Sequence, residues 1–188
     1  MDDKQHDPNL PARERILRTA HSLFYRDGIR ATGIDRIIQE AGVAKVTLYR
    51  HFPSKNDLIK AYLEYRHQLW IMWFKDALSR YSKECDSVPD LLIAALREWF
   101  ESDGYRGCAF INAVVEMDGV LPEFTKISKR HKEEVVELIA NLLPHSQDRY
   151  HQALAIAVAV DGAILRAQLE KQSEHALESL GLILQAII

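Results

Sequence analysis

Apolar residues recur every three or four positions along most of the chain, the spacing that places them on one side of an α-helix. The first stretch is expected to begin with Pro11 at its first helical position and to end at Gly28. Its apolar side is Ile16, Leu17, Ala20, Leu23 and Phe24. Arg13, Arg15 and Arg18 on the other side are expected either to lie along phosphate groups or to face solvent. The whole pattern predicts an all-α protein of about nine helices.

Two short helices around a tight turn are predicted next, within residues 33–58. Thr32, with Asp35 three residues later, resembles a capping box, so Thr32 is expected to cap the first of these helices. Apolar positions in this helix are Ile34, Ile37, Ile38 and Ala41. Gly42 follows where a helix needs a residue with positive φ, and Val43 is expected to make the hydrophobic contact of that cap.

The second short helix is expected to run from about Lys45 to Phe52, because Pro53 stops it. If Leu48 faces inward, the outward side carries Val46, Thr47, Tyr49 and Arg50, flanked by Lys45 and His51. Such cations, hydroxyls and methyl groups suit phosphates and base edges. Helix, glycine turn and helix form the helix-turn-helix unit, whose second helix enters the major groove. The alternative is an ordinary helical hairpin with a solvated side.

The segment TGIDRIIQEAGVAKVTLYRHFPSKNDL resembles the DNA-binding signature of the TetR family of bacterial transcriptional regulators. The resemblance extends over roughly residues 12–65 and depends on AGV, TLY-x-HF and PSK. It implies an all-helical homodimer with an N-terminal three-helix DNA-binding domain and a larger C-terminal domain that binds a small molecule and dimerises. Matching positions imply DNA contacts by Thr32, Lys45, Val46, Thr47, Tyr49, Arg50, His51 and Lys55. Ala44 departs from the family, which often has a capping serine there.

Three regions are predicted: a flexible arm at residues 1–11, the helix-turn-helix domain at 12–53, and a ligand-binding and dimerisation domain at 54–188. Ser54 with Asp57 is expected to open a helix of about 28 residues, which spans about 40 Å. This helix is expected to connect DNA-binding and ligand-binding regions mechanically. Lys55, in its first turn, is expected to point its ammonium towards the DNA backbone.

Aromatic residues with a few polar neighbours in the C-terminal region predict a cavity for a partly apolar effector. The alternative is that these aromatic side chains are plain core. The expected lining is His67, Trp70, Trp73, Phe74, Trp99, Phe110, Asn112, Glu116 and Asp161.

The last two helices are predicted to pair with those of a second copy. The penultimate helix is rich in small residues, and the last has an apolar side too wide to be buried against its own chain alone. The expected interface is Ala157, Ile164, Leu177, Leu180, Leu184 and Ile187. Asp161 and Arg166, which are charged, are expected at a cavity, beside a partner or at the helix edge.

Charge is distributed unevenly along the 188 residues, although the net charge of −3 by itself argues nothing about nucleic acid. Residues 1–66 carry 12 Lys and Arg against 9 Asp and Glu, whereas residues 67–188 carry 12 against 18. A basic head on an acidic body is typical of a protein that touches DNA at one end only.

Sequence motifs for catalysis, metal binding or secretion are not found. There is no glycine-rich phosphate loop, G-x-S-x-G or H-E-x-x-H, and the cysteines match no ligand spacing. The longest apolar run, residues 153–160, is shorter than a membrane helix. We therefore expect a cytoplasmic protein without enzymatic activity, cofactor, metal or membrane contact. Cys108 after Gly107 is expected to be either an inert thiol or a sensor of oxidants or electrophiles.

The combined interpretation is a homodimeric, ligand-responsive repressor that leaves a near-palindromic DNA operator when a small molecule binds. Arg50 and Lys45 suit guanine, and the methyl groups of Thr47 and Val46 suit thymine. Tyr49, His51, Thr32 and Lys55 are expected at phosphates. Two alternatives are an enzyme whose aromatic cavity is its active site and a helical module whose Tyr49 side binds a protein.

Overall fold

A computed structural model describes residues 9–117 and 122–188, and the helices below are those of these residues. The expected arm lies largely in residues 1–8, and Gly119, expected between two helices, also lies outside the described residues. The described part contains nine α-helices and no strand, which confirms the all-α prediction. They are α1 Ala12–Asp27, α2 Ile34–Ala41, α3 Lys45–His51, α4 Lys55–Tyr81, α5 Val88–Phe100, α6 Ala109–Met117, α7 Pro122–Ala140, α8 Arg149–Glu170 and α9 Glu174–Ile187.

The chain forms two compact units. The N-terminal unit comprises residues 1–68 and 109–128, and the C-terminal unit comprises residues 69–108 and 129–188. Helix α4 is continuous and contributes residues to both, and α6 belongs to the N-terminal unit. These two units are defined by the contacts within each of them. The predicted boundary at Pro53 separates a DNA-binding from a ligand-binding region, and it stays a prediction.

Helices α1, α2 and α3 pack against one another around the core of the N-terminal unit. The expected apolar side of α1 is buried, as are Ile37 and Ala41 of α2 and Leu48 of α3. Pro11 is the N-cap of α1 rather than its first helical residue. Gly28 ends α1 with φ 92°, a conformation that favours glycine because it has no Cβ.

The long helix α4 begins with the expected cap. The Ser54 hydroxyl accepts the Asp57 backbone N–H at 3.1 Å and donates to the Asp57 carboxylate at 2.7 Å. The helix then continues for 27 residues to Tyr81, which corresponds to about 40 Å at 1.5 Å per residue.

A buried histidine lies between α1 and α4 in the N-terminal unit. The His21 ring packs 5.8 Å from the Tyr62 ring and 5.3 Å from the Tyr65 ring. Its Nε2 lies 3.4 Å from Nη1 of Arg66, which is also buried. Burial, and then the positive charge of Arg66, lower the pKa of His21 to about 3.

We expect this unit to lose stability in mild acid because of His21. Its folded-state pKa lies below the ordinary value of 6.5, so the unfolded chain takes up the proton first. The contribution is complete above about pH 6.5 and falls towards pH 3, by at most about 1.4 kcal/mol per pH unit. Urea unfolding at about pH 7 and about pH 5.5 measures this loss. His21→Gln should reduce the pH dependence and His145→Gln, at an exposed position, should not; an equal dependence in all three proteins would contradict the assignment.

In the C-terminal unit, α9 packs against both α8 and α5. This packing buries Ile164, Leu177, Leu180 and Leu184 within the chain. The prediction that these four residues form a dimer interface is therefore wrong. Helix α9 does have the expected apolar side, with residues spaced three and four positions apart, but these residues face the chain's own core.

Candidate nucleic-acid interface

The turn between α2 and α3 has the predicted geometry. Gly42 adopts the left-handed conformation with φ 61°, and its N–H is directed to the carbonyls of Ile38 and Gln39. The Val43 N–H donates to the Ile38 carbonyl at 3.2 Å. A residue with a Cβ is strained at this φ, so glycine permits the short connection that brings α3 across α2.

Helix α3 presents its polar side outward. Leu48 is fully buried beneath it, whereas Val46 is 76% and Tyr49 40% exposed. Lys45 and Arg50 are exposed, and Thr47 and His51 are half-buried. We call these six outward residues, Lys45, Val46, Thr47, Tyr49, Arg50 and His51, the reading surface. The predicted orientation of α3 is confirmed, while each residue's contact with DNA stays a prediction.

The first turn of α3 has no side-chain cap. Ala44 is its N-cap residue, with φ −73° and ψ 150°, and it has no oxygen to accept a backbone N–H. A serine in this extended conformation typically contributes about 1 kcal/mol. The short helix therefore depends on Leu48 and on its packing against α1 and α2 for its position.

The charge on the reading surface is positive. Helix α3 itself contains no Asp or Glu, and Arg50 and His51 lie in its last turn, where cations interact favourably with the helix dipole. Nζ of Lys45 lies 3.5 Å from the Asp35 carboxylate, with both side chains mostly exposed. Exposed ion pairs of this kind are weak, so Lys45 remains available to an anionic partner.

Thr32 does not cap α2, and its side chain does not reach DNA. Gly33 is the N-cap residue, and Thr32 is fully buried. Its hydroxyl donates to the Gly28 carbonyl at 2.7 Å. Both predictions for this side chain are wrong, because Thr32 stabilises the turn between α1 and α2 (residues 28–32), one residue before the N-cap of α2.

Lys55 makes a contact within its own unit that the sequence did not indicate. Its ammonium donates to the Ile29 carbonyl at 2.7 Å, in the α1–α2 turn. Desolvation lowers the pKa of Lys55, and the nearby negative charge of Glu116 opposes this. The ammonium has further donors, so the contact of Lys55 with the DNA backbone stays a prediction.

Arg15 has a role that sequence reasoning missed. Its guanidinium donates to the carbonyls of Leu10 at 2.9 Å and of Ala41 at 3.3 Å. Ala41 is the last residue of α2, so Arg15 satisfies a carbonyl at the helix end that precedes the glycine turn. The sequence signal was the arginine itself, but its target lies 26 residues away.

Three of the predicted pocket residues form a buried aromatic cluster in the C-terminal unit. Trp70 stacks on Phe74 with ring centroids 4.8 Å apart and meets Trp99 edge-on at 5.4 Å. Trp73 lies beside them and donates its indole N–H to Glu98 at 2.8 Å. The Trp70 indole N–H is buried and has no hydrogen-bond acceptor among residues 9–117 and 122–188.

The other predicted pocket residues fall in different places. In the N-terminal unit the rings of His67 and Phe110 are 6.5 Å apart, and Asn112 is half-buried on α6. The Glu116 carboxylate accepts the Arg30 backbone N–H at 3.0 Å. In the C-terminal unit Asp161 pairs with Lys132 of α7. The carboxylates predicted for a pocket therefore each have a protein partner.

A cleft of about 880 Å³ lies in the C-terminal unit, between the end of α5 and the α8–α9 connection. None of the predicted pocket residues lines it. The cleft combines Phe100 and Ala167 with the side chains of Glu101, Arg106 and Lys171. Short loops between helix ends form it, which explains why helical periodicity gave no sign of it.

Neither a metal site nor an additional reactive centre is evident in the described chain. No group of three or more His, Cys, Asp or Glu side chains in residues 9–117 and 122–188 is arranged to hold a metal ion. Cys108 is buried and lies within hydrogen-bonding reach of Lys132. Its role as inert thiol or sensor stays open.

An apolar surface on α8 and α9 remains exposed in the single chain. It consists of Leu154, Val158, Leu165, Leu169, Leu182 and Ile183. We call these six residues the α8–α9 face. By length and composition alone α8 is able to cross a membrane, but long apolar helices of soluble proteins meet the same criterion. Of the predicted interface residues, Ala157 and Ile187 are half-buried.

A glycine turn, a short helix anchored by one buried leucine, and an exposed basic surface define the chain as a helix-turn-helix DNA-binding protein. Comparison with known proteins then identifies the family. The sequence model of "Bacterial regulatory proteins, tetR family" matches residues 16–62. This region covers α2, α3 and the reading surface.

Relatives extend the similarity to almost the whole chain. A TetR-family transcriptional regulator of Streptomyces coelicolor, SCO4454, has 30% identity and a TM-score of 0.75, over 94% of this chain and 95% of that one. An uncharacterised HTH-type regulator of Lactococcus lactis is 25% identical over 89% of this chain and 88% of its own. The multidrug binding protein EbrR, complexed with malachite green, shares the fold with TM-score 0.73 and 21% identity, over 94% and 97% of the two chains.

The chain belongs to the TetR family of transcriptional regulators. The predicted family and fold class are thereby confirmed, and the protein is a DNA-binding regulator of transcription. Family membership also settles the enzymatic alternative, because proteins of this family are regulators and not enzymes.

Proposed function

We propose that the protein is a homodimeric repressor that leaves a near-palindromic operator when a small molecule binds its C-terminal domain. The observation that carries this proposal is the orientation of α3. Leu48 is fully buried while Val46 and Tyr49 are exposed, so the helix offers its polar side to a groove. A helix held in this way matches the recognition helix of a helix-turn-helix unit.

The reading surface divides by chemistry. Arg50 and Lys45 are assigned to guanine, since their donors match its O6 and N7 acceptors. The methyl groups of Val46 and Thr47 are assigned to thymine. Tyr49 and His51 are assigned to phosphates, which fix the position of the helix without reading sequence.

Dimerisation is assigned to the α8–α9 face. Leu154, Val158, Leu165 and Leu169 are spaced so that they share one side of α8, and a large exposed apolar patch marks a surface of association. Helix α8 also offers space for a partner helix. A Cβ added at Gly162 would meet nothing within 4 Å in the chain. On a helical projection Gly162 lies on the same side as Val158 and Leu165, so this side allows close approach. Two copies would then place two reading surfaces on one duplex. Their half-sites would lie one helical turn of DNA, about 34–36 Å, or a multiple of it apart.

The effector is assigned to the aromatic cluster of Trp70, Phe74 and Trp99. These rings suit an apolar body, and the unpaired Trp70 indole N–H suits a hydrogen-bond acceptor on that body. EbrR, which has the same fold, is complexed with malachite green, and this similarity of fold supports the proposal of an aromatic effector. Binding is proposed to tilt or shift α4, which contributes to both units, and so to change the spacing of the reading surfaces. We place the protein in the cytoplasm, together with chromosomal DNA.

The test is selection of bound fragments from a random duplex pool, followed by gel retardation of the recovered duplex. We expect a near-palindromic site and binding that weakens with salt. For each tenfold rise in salt concentration, the decimal logarithm of the binding constant should fall by about 0.9 per phosphate contact. A pool without enrichment would contradict the proposal. It would favour the protein-interaction alternative, in which the Tyr49 side contacts a protein.

A further inference from the structure

The α1–α2 turn, residues 28–32, connects α1 to α2, and α2 leads through the glycine turn to α3, which carries the reading surface. Three side chains from different places hold it. Thr32 within the turn donates to the Gly28 carbonyl, and Lys55 at the start of α4 donates to the Ile29 carbonyl. The third is Glu116 on α6, whose carboxylate accepts the Arg30 N–H at 3.0 Å.

Glu116 makes this contact across 86 residues of sequence. Its carboxylate oxygens approach Gly28 so closely that a Cβ there would lie 3.2 Å from one of them. Gly28 has φ 92°, a conformation that favours glycine, and a Cβ at this position would require the Glu116 carboxylate to shift slightly. The negative charge of Glu116 also acts on the ammonium of Lys55. Carboxylate, ammonium and turn thus form one connected group within the N-terminal unit.

We propose that Glu116 is a positioning residue for DNA recognition, holding the α1–α2 turn so that α6 and the reading surface move together. The inference rests on the proposed function and adds the element through which it is regulated. A displacement of α6 would pull on Arg30 and thereby change the orientation of α2 and α3. Since coupling between sites is reciprocal, DNA bound at α3 must then restrain α6.

The first test uses the wild-type full chain and the duplex recovered from the random pool. Hydrogen exchange is measured at α6, residues 109–117, with and without this duplex. We expect the duplex to slow exchange in α6 as well as in α3. Unchanged exchange in α6 together with slowed exchange in α3 would overturn the inference while leaving the proposed function intact. Failure to recover any duplex would instead contradict the proposed function.

The second test compares two substitutions at Glu116 with a control. Glu116→Ala should weaken duplex binding roughly fivefold, the lower end of ordinary coupling, and abolish the protection of α6 while α3 stays protected at saturating duplex. Glu116→Gln keeps an acceptor for the Arg30 N–H and should stay within about twofold of wild type. Glu123→Ala removes an equal charge from an exposed position of the same unit and should change neither quantity.

Three results of this comparison would contradict the inference: α6 protection retained in Glu116→Ala, affinity as low in Glu116→Gln as in Glu116→Ala, or an equal loss in Glu123→Ala. Circular dichroism identifies a variant that fails to fold. The wild-type exchange experiment decides the matter in that case, since it requires no substitution.

Discussion

Arg50→Ala is expected to weaken binding to the selected operator by about 1–3 kcal/mol and to relax the sequence preference at one base pair of each half-site. Arg50 is exposed on α3, directly after Tyr49 and two residues after the buried Leu48. A guanidinium in this position can donate two parallel hydrogen bonds to guanine, which no alanine replaces. Fluorescence anisotropy with the operator and with single-base variants measures both effects.

The control for this experiment is Arg130→Ala, which removes the same charge from an exposed position of α7 in the C-terminal unit. We expect it to leave operator affinity unchanged, apart from the small effect of net charge. If Arg50 contacts a phosphate instead, its loss would weaken binding to all sequences alike. The slope of log K against the logarithm of salt concentration would then decrease in magnitude by about one. That outcome would contradict the guanine assignment, and unchanged binding in Arg50→Ala would contradict the reading surface itself.

Local chemistry made the helix-turn-helix predictable from sequence. Gly42 ends α2 because a residue in the left-handed conformation is needed there. The other residues that shape this unit lie within a few positions of the glycine. Leu48 is the one apolar residue in the middle of α3 that can face the core without burying Lys45 or Arg50. Its spacing therefore fixed which side of the helix faces outward, and the structure agrees.

Sequence reasoning was less successful where the folded chain decides which group a side chain meets. Thr32 resembles an N-cap by local pattern, but the Gly28 carbonyl accepts its hydroxyl because the turn folds back on the end of α1. Lys55 also has an acceptor that its local sequence does not indicate, since the Ile29 carbonyl lies 26 residues earlier in the chain. Periodicity shows which residues share a side of a helix, but it contains no information on which tertiary group that side meets.

The C-terminal helices illustrate the same limit. The apolar side of α9 that contains Leu177, Leu180 and Leu184 was expected to meet a second copy, and it packs inside its own chain instead. The apolar residues left outside, among them Val158 and Leu165, follow a similar spacing on α8. Hydrophobicity alone does not distinguish an intramolecular contact from an intermolecular one.

Leu165→Glu is expected to convert the dimer to a monomer and to cause the largest loss of operator binding of any single substitution considered. Leu165 is 53% exposed in the single chain, so a glutamate there should change the stability of the isolated subunit by no more than about 0.5 kcal/mol. In a dimer formed through the α8–α9 face it would bury a charge in each copy. Light scattering at micromolar concentration should show the mass fall from twice 21.6 kDa to 21.6 kDa.

In the proposed dimer, operator binding depends on this association because the second half-site would be bound intramolecularly once the first is occupied. Loss of such linkage typically weakens binding by about 10²–10⁴-fold, more than the loss of one base contact. Met72→Glu is the matched control, since Met72 is an exposed apolar residue on α4, outside the α8–α9 face. It should remain dimeric and bind the operator normally. A Leu165→Glu protein with unchanged mass would show that the copies associate through another surface. A wild-type protein that is monomeric would contradict the proposal that two copies bind two half-sites.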